Sequence, residues 1–155
     1  EQFQTTLRTI LAETRQSTQK ALIVGAATGT ETEDLPLVLL AEDNLDNVAM
    51  MTEYLHARDY RVLVAHNGVE AIAHARESRP ALILMDIQMP EMDGLEAIGR
   101  IRADGQTRHI PIIALTALAM PGDRERCLDA GANDYMSKPV SLRTLHERMH
   151  ELLPH

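Results

Sequence analysis

From Pro36 onward, short apolar runs alternate with amphipathic segments five times. The runs Leu37 to Ala41, Arg61 to Ala65, Ala81 to Met85, Ile110 to Leu115 and Asn133 to Met136 are the right length for strands and too short for typical helices. Between them Val48, Met51 and Leu55 recur at helical spacing, as do Leu95, Ile98 and Ile101, then Leu142, Leu145, Met149 and Leu152. Each set gives a helix one apolar stripe to lay on a sheet. Strands alternating with helices make βα units and a parallel sheet. With right-handed crossovers the expected architecture is α/β, a doubly wound (βα)5 sandwich.

Turn residues punctuate the same scheme. Asn67-Gly68 follows the second run, Asp93-Gly94 opens the third helix, Pro121-Gly122 opens the fourth, and Gly131 ends it. Residues 1–35 stand outside the rhythm. There Phe3, Leu7, Ile10 and Leu11 are spaced for a helix, Lys20 to Ala27 is apolar and of undecided type, and Thr28 to Asp34 reads as a polar linker. The expected organisation is therefore an N-terminal helical extension over 1–35, possessing the spacing of a connector or of the end of a preceding domain, and one domain over 36–155.

Composition fits one folded domain plus an appendage: 155 residues, 45% hydrophobic and 25% charged. A formal charge of -8 with no concentrated Lys and Arg disfavours the phosphate backbone of nucleic acid as a direct partner. The single cysteine, Cys127, excludes an internal disulfide framework and fits a reducing compartment. No apolar stretch approaches the roughly 18 residues of a membrane span. We therefore expect a cytoplasmic chain without direct membrane contact. It opens on Glu1 rather than Met, which suggests a piece of something longer.

The runs matter most for where they stop. The first ends at Glu42-Asp43, the third at Asp86, the fourth at Thr116, and the fifth leads through Ser137 to Lys138-Pro139. Parallel strands share a direction, so these side chains all emerge at one edge, where ligands of such sheets collect. Three carboxylates offer the oxygen ligands that Mg2+ prefers, and an Asp carboxylate is a known nucleophile toward phosphorus. A hydroxyl and an ammonium are suitable donors for the charge on a phosphoryl group. Singly, each residue has an ordinary explanation. An Asp at a strand end is usually a cap or turn residue, Lys138 a solvated lysine and Tyr135 an amphipathic strand residue.

Their joint placement overturns those readings. Ala41-Glu42-Asp43-Asn44, Leu84-Met85-Asp86-Ile87-Gln88-Met89-Pro90 with Asp93-Gly94, Ala114-Leu115-Thr116-Ala117 and Tyr135-Met136-Ser137-Lys138-Pro139 resemble, in order, the receiver (response-regulator) domain of two-component signalling. The resemblance covers about 120 residues, and it implies a flavodoxin-like strand order of 2-1-3-4-5. It further implies that Asp86 accepts a phosphoryl group from a histidine kinase or histidine phosphotransfer domain. Glu42, Asp43, Asp86 and the Gln88 backbone carbonyl would hold Mg2+, with Mn2+ as a substitute. Thr116 and Lys138 would contact the phosphoryl group, Thr116 and Tyr135 would form the switch, and Lys138-Pro139 would be a cis peptide. Output to a downstream protein would use the face from the fourth helix to the fifth.

The first context to expect is the C-terminal receiver of a hybrid histidine kinase; the second is a stand-alone response regulator. A rival of another class is a small phosphatase or phosphotransferase with an Asp86 nucleophile, like haloacid-dehalogenase-like enzymes. Those place a second Asp two residues on as general acid, where this chain has Gln88. A pseudo-receiver that binds without phosphorylation sits poorly with the complete acidic set. Other motifs are weaker. His146-Glu147-Arg148-Met149-His150 matches H-E-x-x-H, but the apolar stripe commits that helix to the core and no third zinc ligand is evident, so metal capture is a better reading than proteolysis. Gly25 to Gly29 lacks the Gly-Lys-Ser/Thr ending of a phosphate loop. Cys127 and the eight methionines read as packing residues.

Overall fold

A computed structural model describes residues 34–117 and 120–153. The expectations for residues 1–33, including the N-terminal helix and Gly25 to Gly29, lie outside the described residues. Among the described residues five strands and five helices alternate: β1 (Leu37–Ala41), α1 (Leu45–His56), β2 (Arg61–Ala65), α2 (Gly68–Ser78), β3 (Leu82–Asp86), α3 (Gly94–Ala103), β4 (Ile112–Thr116), α4 (Asp123–Ala130), β5 (Asp134–Ser137) and α5 (Leu142–Leu152). The strands form one parallel sheet of order β2-β1-β3-β4-β5. This is the flavodoxin-like order that the resemblance implied.

Alternation along each strand sorts the core into two layers. Leu39, Ala41, Ile83, Met85, Ile112 and Ala114 pack with Ala71 and Ala75 of α2, Ala97, Ile98 and Ile101 of α3, and Cys127 of α4. Val38, Leu40, Leu82, Leu84, Ile113 and Leu115 pack on the other side with Met51 and Leu55 of α1 and Leu145 and Met149 of α5. The central strands are buried on both faces, which explains why they read as continuous apolar runs.

Local chemistry starts the helices where the punctuation placed them. The side chains of Asn44, Asn67, Asp93 and Ser141 accept from the backbone N–H groups of Asn47, Glu70, Glu96 and Thr144 and so cap four N-termini. Helix α4 differs. It begins after Gly122 (φ 88°) with no side-chain cap and ends at Gly131 (φ 122°), both in backbone conformations that favour glycine.

Strands β3, β4 and β5 each start and end one or two residues later than the sequence reading has them. Strand β4 starts at Ile112 rather than Ile110, since Pro111 has no N–H to give the ladder, although its carbonyl still accepts from Ile83 at 2.9 Å. Strand β3 runs one residue further, so Asp86 is its last residue rather than the first of a loop. The methionines also divide. Met51, Met85, Met89, Met136 and Met149 are buried, but Met50 and Met120 are exposed, which corrects the reading of those two as packing residues.

Candidate functional site

Register brings the strand ends together. Asp86 pairs with Leu115 and Thr116 with Ser137, so the reactive residues of β3, β4 and the segment after β5 sit level at the carboxyl edge. Glu42 follows β1 directly and is held there by its N–H, which donates to the Ala65 carbonyl at 2.9 Å. Glu42, Asp86 and Thr116 are buried, whereas Asp43 is exposed. One carboxylate oxygen from each of Glu42, Asp43 and Asp86 lies within 4.8 Å of the others.

Lys138 joins two of these acids. Its Nζ lies 2.8 Å from Glu42 Oε1 and 3.0 Å from Asp86 Oδ2. The Lys138-Pro139 peptide is cis, and the Lys138 N–H donates to the Thr116 carbonyl at 2.6 Å. The remaining oxygens are also engaged: Asp86 Oδ1 accepts from the Gln88 N–H and Glu42 Oε2 from the Asn44 N–H, each at 3.1 Å. Tyr135, two residues before Ser137 on the same face of β5, is half-buried against the layer that contains Ala114 and Cys127.

These contacts set the charge states. Burial pushes Asp86 up to about 6, aided by the Glu42 charge and opposed by hydrogen bonds from Lys138 and the Gln88 N–H. Burial raises Glu42 as well, but hydrogen bonds from Lys138, Asn44 and Asp86, with the Lys138 charge, leave it below the usual glutamate value. For Lys138 burial favours the neutral amine, yet its two carboxylate partners hold it above the ordinary lysine value. The lysine therefore remains a cation and compensates part of the clustered negative charge. Hard oxygen donors around a small space suit Mg2+, which keeps waters and takes only a few protein carboxylates. Glu42, Asp43 and Asp86 meet that requirement, and they offer none of the nitrogen or sulfur that a softer ion prefers.

The loop from β3 to α3 is shaped by backbone requirements. Glu91 has φ 70° and the Met92 N–H donates back to the Pro90 carbonyl at 2.8 Å, a γ-turn. Gly94 donates to the Ile87 carbonyl at 2.9 Å and lies so close behind Asp86 that an added Cβ would stand 2.4 Å from the Asp86 backbone carbonyl oxygen. The backbone carbonyl of Gln88 lies in this loop. Its side chain does something that the sequence reading missed: Gln88 Oε1 accepts from the Ala117 N–H at 3.2 Å and ties the loop after β3 to the loop after β4. A cavity of about 390 Å³ opens beside that bridge, with Thr116 and Cys127 among its lining residues.

Fold and site together define a receiver, a doubly wound domain with an acidic strand-end pocket closed by a lysine. The model for the response regulator receiver domain matches residues 38–150, and the chain belongs to that family. It is 47% identical over 105 residues to the polar-differentiation response regulator DivK of Brucella anthropi, covering 68% of this chain and 85% of that protein. Among solved structures it is similar to the receiver domain of a sensor histidine kinase from Pseudomonas aeruginosa, which has a magnesium ion coordinated in its active-site cleft. That match has a TM-score of 0.71 and 41% identity over 76% of this chain and 96% of the other. The signal receiver domain of a histidine kinase from Syntrophus aciditrophicus also matches, with a TM-score of 0.71 and 33% identity over 76% and 89% of the two chains.

Proposed function

We propose that Asp86 is the phosphoacceptor of a two-component phosphorelay. The observation that carries this reading is Lys138, whose one ammonium spans Asp86 and Glu42 inside a buried acidic pocket. An Asp86 oxygen attacks the phosphorus of a phosphohistidine on a kinase or phosphotransfer domain; the P–O bond forms as the P–N bond breaks and imidazole leaves. Burial raises Asp86, while the Lys138 ammonium beside it favours the ionised, nucleophilic carboxylate. Glu42, Asp43, Asp86 and the Gln88 carbonyl are the residues that would hold Mg2+, or Mn2+ in its place. Bound there, the ion supplies Lewis-acid charge neutralisation of the phosphoryl oxygens.

Lys138 exchanges part of its carboxylate pairing for the phosphoryl group, and the Thr116 hydroxyl is the second donor. Movement of Thr116 biases Tyr135, which shares its face of the sheet, and the surface from α4 to α5 presents the result to a downstream protein. No helix among the described residues is long and apolar enough to cross a membrane. We place this chemistry in the cytoplasm, within one receiver domain over 36–155.

Similarity to receiver domains of two histidine kinases favours the hybrid-kinase context. Coverage of 85% of DivK favours the second reading, a stand-alone regulator. The phosphoacceptor reading is tested by incubating the chain with Mg2+ and acetyl phosphate and weighing the intact protein. One phosphoryl group on the wild type and none on Asp86→Asn is the expected result. No adduct on either overturns it, and sustained hydrolysis of a phosphate ester favours the phosphatase.

A further inference from the structure

Helix α5 carries a second set of metal-ligating side chains, far in chemistry from the carboxylate pocket. His146, Glu147, His150 and Glu151 line one surface recess of about 440 Å³ over the last two turns of the helix. The two imidazoles are spaced i, i+4, so they rise one above the other on a single face. Their ring centroids are 6.5 Å apart and inclined at 42°. Two imidazoles on one ion with metal–nitrogen bonds of ~2.0–2.1 Å need centroids about 5 Å apart. Closing the pair to that distance takes a side-chain rotation of His150, which is exposed.

Three features favour a cation here. First, His146 is already ordered: its ring meets the buried Tyr60 ring edge-on, with centroids 5.9 Å apart and planes at 76°, so less freedom is lost when it binds. Second, the neighbouring Arg148 guanidinium is drawn away to Asp134 of β5 at 2.5 Å, and Arg143 reaches Glu147 only at 3.8 Å between exposed side chains. Glu147 and Glu151 line the same recess, each with an arginine nearby, and add carboxylate charge to its rim. Third, the recess lies at the C-terminal end of α5, where the helix dipole favours positive charge.

We propose that His146 and His150, with water completing the coordination shell, bind one borderline divalent transition ion of the Zn2+ class and clip the end of α5. Nitrogen donors select such an ion over Mg2+, so the two sites of the domain take different metals. Binding links two successive turns and raises the stability of the folded chain by mass action.

The test is a titration of the full, metal-free chain with ZnCl2 in excess Mg2+, which keeps the carboxylate pocket supplied, followed by calorimetry and thermal melting. The wild type is expected to bind one Zn2+ with a rise in Tm. His150→Ala and His146→Gln should each weaken binding roughly ten-fold or more and abolish the rise. His150→Ala changes an exposed residue and keeps the Tyr60 contact, so a folded variant is assured for the comparison. Unchanged Zn2+ affinity and melting in both variants, or no Zn2+ binding by the wild type, overturns the proposal.

Discussion

Arg102 and Gly131 form a fitted pair: the Arg102 Nε donates to the Gly131 carbonyl at 2.8 Å, and a Cβ on residue 131 would stand 2.5 Å from Arg102 Cγ. The same guanidinium donates to the carbonyls of Arg108 and Ile110 and to Asn133 Oδ1, which in turn accepts from the Ile112 N–H. One side chain on the last turn of α3 thus joins the approach to β4 and the turn before β5. Lysine has no such planar fork. Arg102→Lys should lower stability by about 2–3 kcal/mol, since several carbonyls lose a charged donor. Urea unfolding followed by circular dichroism should show a lower midpoint with an unchanged slope.

Gly94 tests how tightly the loop backs the proposed phosphoacceptor. A Cβ there would meet the Asp86 oxygen at 2.4 Å and the Ile87 Cα at 2.8 Å, both backbone atoms that cannot rotate aside. Gly94→Ala should cost about 2 kcal/mol or more through overpacking. It should also slow phosphorylation by acetyl phosphate at least ten-fold, because the displaced strand end carries Asp86. Equal phosphorylation rates in the wild type and the variant would contradict the second expectation.

Glu91 points the other way. Its φ of 70° sits in a γ-turn, a conformation strained for any residue with a Cβ. Glu91→Gly should raise stability by roughly 1 kcal/mol, the released strain exceeding the added freedom of glycine in the unfolded chain. Thermal melting at one pH would show a higher Tm.

Cys127 supplies a pH-dependent expectation. Burial, reinforced by the Asp123 charge, pushes the thiol above its usual value against the opposing charge of Arg126. The folded state therefore holds this proton more tightly than the unfolded chain, whose thiol ionises near about 8.5. The resulting stability is fully present below that pH and declines as pH rises through the folded value. Cys127→Ala should flatten this alkaline decline while costing stability at pH 7 through lost packing. Native Cys127 should react with iodoacetamide at pH 8 far more slowly than the urea-unfolded thiol.

The strand ends were legible because a parallel sheet gives five short runs one direction, so Glu42, Asp86, Thr116 and Lys138 could be assigned to one edge from their positions alone. Asp43 was legible as an acid, although its exposure came only from the fold. Arg102 was not legible. An arginine in the last turn of a helix ordinarily reads as a solvated charge near the dipole, and its partners are mostly backbone carbonyls, which residue types do not reveal. Gln88 was hidden for a related reason. Its position identified it as a neighbour of Asp86, but the acceptor role toward Ala117 depends on how two loops approach. Thr107, buried and donating from its hydroxyl to the Ile101 carbonyl at 2.8 Å, belongs to the same class.

Lys138 stands at a mechanical boundary. Asp86 ends β3, the middle strand, which is clamped by ladders on both flanks and covered on both faces, so it resists displacement. The lysine follows β5, a four-residue strand laddered to a single neighbour and so less constrained than β3. Its ion pair with Asp86 therefore runs from the central strand to an edge of the sheet. A change of charge at Asp86 is a force applied to an anchored post, and the part of the molecule free to yield is the margin that holds the other end of the tether.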